Sequence, residues 1–304
     1  MTIKEKYEVI LEKLNIKEYF NKGYKGQNVK IASIESLKSE HGRNVYLTLK
    51  TYAPLCDVYS FNDEVGISAI GDANTSDTIN FPKFVDWCIE KGIRVVSSSL
   101  DWNADEPEEV KAIQKLYDNG IIFFNCAGNK GKEIVLGESD KASCIDEGVV
   151  AVSSVTLDSK GKFTWTGYNY GNAVDVVTIG YNIPILYDID KFMNWSGTSS
   201  STPFLAAMSA DMISANDSIN SKNIEQIIED SSEDFEYKGL MYNRFIMPTL
   251  EKLENYVLTW KEEFARSWQK ATKLKIVDGL RPNENITRNE LIVILDRLEL
   301  LKEV

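Results

Sequence analysis

The chain of 304 residues is 43% hydrophobic and 26% charged, an ordinary composition for a globular protein with one large domain and a small appendage. Its 34 basic and 46 acidic residues give a formal net charge of -12. That balance excludes nucleic acid and anionic membrane as sequence-independent partners, because both require a net cationic face.

The N-terminus, MTIKEKYEVILEKLNIKEYF, mixes charges with apolar residues at helical spacing. It has neither the apolar core of a signal peptide nor an uncharged span of membrane length. A cytoplasmic protein is therefore expected, unless something else, such as lysis, releases it. Residues 1–17 read as an N-terminal helix or short extension. After it, short β-branched runs alternate with helical stretches: VKIASI (29–34), CDVYSF (56–61), IRVVSSSL (93–100), IIFFNCAG (121–128) and VVAVSSV (149–155). Between them lie FPKFVDWCIEKG (81–92) and PEEVKAIQKLYDNG (107–120), each with apolar spacing of three and four and a closing glycine. Strands alternating with helices of this length predict an α/β fold, a parallel sheet covered on both faces. The run KFTWTGYNYGNAVDVVTIGYNIPIL reads as short strands and turns, and PFLAAMSADMISAN as a closely packed helix opened by Pro203. This domain is assigned to residues 18–253, and residues 254–304 to an all-α tail with a capping box at Thr287 and Glu290.

Cys56, Cys88, Cys126 and Cys144 lie far apart, without a CxxC pair, in a chain with a single histidine. That excludes a zinc site and predicts buried free thiols. Calcium-ligand spacing is absent, and neither metal nor cofactor is expected.

A serine hydroxyl needs a base to take its proton and a carboxylate to hold that base in the right tautomer. His41, in SEHGRNV, is the sole imidazole available, and it follows a strand at whose carboxyl end Glu35 stands. Parallel sheets place their sites at such ends. Ser199, in WSGTSSSTP, follows a glycine turn at a helix start, whose unpaired amides suit an oxyanion. Asn129, in NCAGNKG after a buried strand, adds a side-chain donor. Each residue also has a structural reading: Ser199 as a serine-rich helix entry, His41 as a lone histidine, Asn129 as a turn cap, and Glu35 as an inert substitution with Glu40 or Asp72 as the carboxylate.

Taken together, VKIASIES, HGRNV, AGN and SGTSSSTP resemble, in order, the signature blocks of the subtilisin-like serine proteases. GYKGQNVKIA, YAPLCDVYSF and VVSSSL add agreement, so the resemblance covers roughly residues 18–250. It implies a three-layer subtilisin-like domain with a mostly parallel central sheet, and a serine endopeptidase acting on peptide or protein substrates. Ser199 would then be nucleophile, His41 general base, Glu35 the orienting carboxylate and Asn129 the oxyanion donor. Ser99, Leu100 and Asp101 would form the edge that pairs with substrate, and Cys126, Ala127 and Gly128 the facing wall of the pocket beside the cut.

The departures narrow this expectation. Glu35 replaces the family's aspartate, and only five residues separate it from His41. Asp101 and Trp102 replace glycines, so their bulk would restrict the upstream subsites, and Lys130 suggests a preference for acidic or polar side chains beside the cut. The alternative function is a catalytically silent pseudoprotease that binds peptide or signals. The tail resembles a single surface-layer-homology-like module, with binding of cell-wall polymer and self-association as its two readings. The single tail also resembles those of phage-encoded lytic proteins of Gram-positive bacteria, an analogy under which the protein would be phage-associated and released by lysis.

Overall fold

The computed structural model describes residues 1–67, 69, 80–104, 106–137, 141–145, 148–158 and 160–254. The tail expected over 254–304, with its Thr287–Glu290 capping box, lies outside the described residues apart from Glu254, and so does Asp72. The chain divides into two units, Met1–Leu250 and Glu251–Val304. Everything below concerns the first.

The helices are α1 (Ile3–Lys13), α2 (Ile16–Lys22), α3 (Glu40–Tyr52), α4 (Phe61–Val65), α5 (Phe81–Lys91), α6 (Pro107–Asp118), α7 (Thr198–Ala215) and α8 (Ile224–Ser231). The strands are β1 (Lys30–Ser33), β2 (Asp57–Ser60), β3 (Val95–Ser98), β4 (Ile122–Cys126), β5 (Val150–Leu157), β6 (Phe163–Trp165), β7 (Val176–Ile179), β8 (Ile183–Asp188), β9 (Lys191–Trp195), β10 (Glu233–Tyr237) and β11 (Leu240–Arg244). Each expected apolar run supplies one of β1 to β5, although Phe61 leaves the second run to open α4. Local chemistry sets the ends. Asn80 accepts from the Lys83 N–H to start α5, and Gly92 closes it at φ 68°. Pro107 opens α6, where Glu106 and Glu109 form a reciprocal cap.

The sheet runs β10-β11-β7-β5-β4-β3-β1-β2, with β6 paired to β5. The pairs from β2 through β7, and β7 with β11, are parallel; β5–β6 and β10–β11 are antiparallel. Ala32, Val96 and Phe123 are register partners and join one core with Phe81, Phe84, Ala112 and Ile113 of α5 and α6. Alternate residues therefore turn to the other face, where α7 lies against β3, β4, β5 and β7, flanked by α3. The result is the expected α/β architecture with a mostly parallel central sheet.

One feature differs in detail from the sequence expectation. The helix carrying Ser199 begins at Thr198, so Pro203 lies inside it rather than opening it. Proline has no N–H, and the carbonyl four residues earlier, that of Ser199, loses its helical partner. The side chain of Ser99 supplies one instead, donating to the Ser199 carbonyl at 3.0 Å. The N-terminal helices are also built into the first unit. Ile10, Leu14, Ile16 and Tyr19 are buried, and the Tyr19 hydroxyl donates to the Pro248 carbonyl at 2.9 Å. No helix among the described residues is long and apolar enough to cross a membrane.

Candidate active site

The strand order reverses at β1, whose neighbours are β2 on one side and β3 on the other. In an open parallel sheet the crevice outside the carboxyl ends at such a point is where ligands bind. Glu35 stands just beyond β1 and Ser99 just beyond β3. The Glu35 carboxylate bridges them: Oε1 accepts a short bond from the Ser99 N–H, and Oε2 accepts from the Ser33 hydroxyl at 2.7 Å. Glu35 is 3% exposed. Burial raises its pKa, opposed by these donors and by the charge of His41.

His41 occupies the first turn of α3, which Ser39 caps by accepting the Gly42 N–H at 2.9 Å. The short connection from Glu35 brings the backbone of Ser36 under this turn. A Cβ on Gly42 would lie 2.0 Å from the Ser36 carbonyl oxygen, so only glycine fits after His41. Gly42→Ala is expected to displace the first turn, costing about 1–3 kcal/mol of stability, and to lower activity more than it lowers the fraction folded. Thermal unfolding run beside a turnover assay separates the two effects. The imidazole meets the edge of Trp195, with ring centroids 5.8 Å apart. Among the described residues it makes no hydrogen bond to Glu35 or to Ser199.

Gly197, at φ 132°, turns the chain from β9 into α7. Ser199 follows in the first helical turn, and its N–H makes no hydrogen bond among the described residues. The Ser199 hydroxyl donates to the Ser99 carbonyl at 3.1 Å. Asn129 lies beyond β4, and its Oδ1 accepts from the Thr198 N–H at 2.8 Å and from the Thr198 hydroxyl at 3.0 Å. That pairing fixes the amide orientation and leaves Nδ2 as the outward donor. Two donors, the Ser199 N–H and Asn129 Nδ2, lie at the Gly197 turn, 3.5 and 3.7 Å from where a Gly197 Cβ would stand, and donors that flank one position are what a tetrahedral oxyanion needs. Thr198 also accepts the Gly128 N–H at 3.1 Å. Thr198→Val keeps the shape and removes both hydroxyl bonds, so kcat should fall about tenfold with KM little changed. Steady-state kinetics on a short peptide check this.

The residues expected as edge and wall, Ser99–Leu100–Asp101 and Cys126–Ala127–Gly128, lie side by side at the carboxyl ends of the adjacent strands β3 and β4. Asn125 ties them at the base, donating to the Ser98 and Leu100 carbonyls at 3.2 and 3.1 Å. Asp101 forms a close ion pair with Lys141 and a longer one, 3.9 Å, with Lys130. Its carboxylate lies 3.4 Å from where a Gly128 Cβ would stand, so it reaches across to the wall. Trp102 does not add bulk to the edge as its position in the sequence suggests. It is 7% exposed and packs against Phe81 at 4.8 Å, because the apolar ring gains more from the core than from the rim. Burial, with the Asp101 charge, pushes the Cys126 thiol up to about 12, so it stays protonated and is no rival nucleophile.

Asn169 was not legible as a site residue. Its Nδ2 donates to the Ala127 carbonyl at 2.7 Å, and its Oδ1 accepts the N–H groups of Lys130 and Lys132 at 3.0 Å. It therefore holds the loop that presents Asn129. The one signal is its place between glycines in GYNYG, which reads equally well as a turn. All four cysteines are buried and free, and the described residues contain no cluster of metal-ligating side chains.

An open, mostly parallel sheet with helices on both faces, and a serine at a helix start near a buried carboxylate beyond β1, defines the class of α/β protein. Residues 49–252 match the subtilase family, and the chain belongs to it. The match begins after Glu35 and His41. Among curated relatives, the minor extracellular protease Epr of Bacillus subtilis is 24% identical over 66% of this chain and 34% of its own length. Subtilisin DY of Bacillus licheniformis is 23% identical over 72% of this chain and 90% of its own. The intracellular serine protease of Paenibacillus polymyxa is 30% identical over 40% of this chain and 36% of its own. The chain thus spans about a third of two of these relatives and most of the other. The same fold occurs in the prenylagaramide maturation protease PagA, with TM-score 0.58, 18% identity and coverage of 78% of this chain and 98% of that one. It occurs also in a lanthipeptide protease, with TM-score 0.57, 16% identity and coverage of 80% and 96%.

Proposed function

We propose that the protein is a serine endopeptidase that cleaves peptide bonds through an acyl-enzyme on Ser199. The Ser199 hydroxyl attacks the scissile carbonyl while His41 takes its proton. Asn129 Nδ2 and the Ser199 N–H receive the oxyanion, and His41 returns the proton to the leaving amine. Water then repeats the sequence on the ester. Glu35 orients and charge-balances the imidazole when substrate is bound. The observation that supports this reading is the pair of donors at the Gly197 turn, the Ser199 N–H and Asn129 Nδ2, with the Asn129 amide oriented by its two bonds from Thr198. A narrow range of substrates is part of the proposal. Asp101, tied to Lys141 and Lys130, spans the gap between edge and wall and limits the side chain admitted beside the cut.

Labelling with a fluorophosphonate tests the reading. The Oγ–P bond forms, fluoride leaves, and the hydroxyl proton passes through His41 to solvent. Stoichiometric labelling of the wild type at neutral pH and none of Ser199→Ala is expected. Equal labelling of the two, or labelling of neither, would remove the proposed chemistry.

A further inference from the structure

Only five residues separate Glu35 from His41, so neither end of this connection moves without the other. Four hydrogen bonds tie it, together with the end of the segment before it, to the turn between β2 and α4. The Ser60 hydroxyl donates to the Glu35 carbonyl at 3.1 Å, and Asn62 Nδ2 donates to the Ile34 carbonyl at 2.9 Å. Asp63 makes the other two. Its Oδ1 accepts from the Ser36 hydroxyl at 2.6 Å, and its Oδ2 accepts from the Leu37 N–H at 2.7 Å.

Ser36 passes this constraint on to α3. Its carbonyl accepts the Ser39 N–H at 3.1 Å and the Ser39 hydroxyl at 2.8 Å, and the Ser39 oxygen in turn accepts the Gly42 N–H at 2.9 Å. A row of hydrogen bonds therefore runs from Asp63 to the helical turn that carries His41, each link polarising the next. The core fixes its other end. Phe61 of α4 is fully buried, with its ring centroid 5.7 Å from that of Phe84 and 5.6 Å from that of Trp87, so α4 is held by packing and not by the connection it grips.

We infer that Asp63 is a positioning residue for the Glu35 and His41 pair: by holding Ser36 and Leu37 against α4, it sets where the imidazole stands relative to the carboxylate. This rests on the proposed peptidase reading and adds the residue that fixes a connection too short to carry structure of its own. The role is one of geometry and not of charge. Lys38, whose ammonium lies 3.8 Å from Asp63 Oδ1, is 79% exposed, and a pair of that kind contributes little. Asparagine preserves the geometry, since its Oδ1 can accept the Leu37 N–H while its Nδ2 donates to the Ser36 hydroxyl oxygen. Alanine preserves neither link.

Asp63→Ala and Asp63→Asn are compared with the wild type, all as full-length protein, by kinetics on one short peptide, by thermal unfolding and by NMR of the ¹⁵N-labelled imidazole, which a single histidine makes unambiguous. Asp63→Ala is expected to lower kcat about 100-fold, the loss that follows a misplacement of about 1 Å, with KM little changed. Its imidazole signals should move. Asp63→Asn should recover most of the lost turnover and keep the wild-type signals. Glu35→Ala adds the closing comparison: it should shift the imidazole signals when Asp63 is present and shift them much less in the Asp63→Ala background, because the two groups no longer meet there. Should Asp63→Ala fail to fold, Ser36→Ala takes its place; it removes the hydroxyl link alone and should lower kcat about tenfold with the same displacement of signals.

Three results would each overturn the positioning role: imidazole signals unmoved in Asp63→Ala, or in Ser36→Ala where that replaces it; an equal response to Glu35→Ala in the two backgrounds; and an Asp63→Asn variant as impaired as Asp63→Ala. The NMR comparisons need no turnover. Failure of fluorophosphonate labelling in the wild type removes the peptidase reading and leaves those comparisons to decide what Asp63 does to His41, whereas intact labelling with any of the three results removes only the positioning role.

Discussion

Glu35→Ala is expected to lower kcat/KM about 1,000- to 10,000-fold, almost wholly through kcat. Glu35 is the carboxylate buried at the switch point of the sheet, and its charge acts on His41. Without it the imidazolium formed during attack has no compensating anion, and the imidazole has no partner to choose its tautomer. Glu35→Asp is the sharper variant. Aspartate is one methylene shorter, so it cannot keep both the Ser99 N–H and the Ser33 hydroxyl that Glu35 now holds. An intermediate loss, about 10- to 100-fold, is expected. Thermal unfolding of both variants, alongside kinetics on one peptide, distinguishes lost chemistry from lost fold. A fully active alanine variant would show that another group orients His41.

Asp211→Asn is expected to stabilise the protein at neutral pH, by at most about 4 kcal/mol at pH 7. Asp211 lies in α7, is fully buried, and neither carboxylate oxygen has a hydrogen-bond partner among the described residues. Burial raises its pKa well above the usual carboxylate range, and Lys25 opposes this weakly. Tyr7 of α1, Tyr19 of α2, and Cys56 ahead of β2 are the other titratable groups that sense its charge. The sign follows from proton linkage. A raised folded pKa means the native state holds the proton more tightly than the unfolded chain. The contribution is complete below the unfolded value of about 3.9, shrinks as pH rises above it, and is gone once pH passes the raised folded value. Denaturant melts across pH should show wild-type stability falling over that window and the asparagine variant nearly level. Parallel pH profiles for the two proteins would mean Asp211 is ionised and solvated in the native state.

Much of the architecture was legible because it follows from local periodicity. The β-branched runs at 29–34, 93–100, 121–128 and 149–155 become β1, β3, β4 and β5, since a strand buried on both faces has to be apolar along its length. The two intervening helices carry their own start and stop residues. His41 and Ser199 were nominated by residue type and order alone. The extent of the helix that carries Ser199 was not, because Gly197 at positive φ and the packing of α7 on four strands carry the helix start five residues ahead of Pro203.

The sequence by itself determined the main strands and the helices between them, the buried cysteines, the subtilisin-like order of motifs and the single histidine, because each depends on residue type or on spacing within a single segment. Only the tertiary structure decided how those groups are engaged. It turned Trp102 into the core, set Asp101 between two lysines, made Asn169 the clamp of the Asn129 loop, and fastened Ser199 to Ser99 instead of to His41. Each of these contacts joins separate segments of the chain and forms only when the helices and the carboxyl ends of the strands come together in the fold. Hydrogen bonds and ion pairs act at contact distance, and contact between distant segments is a property of the fold.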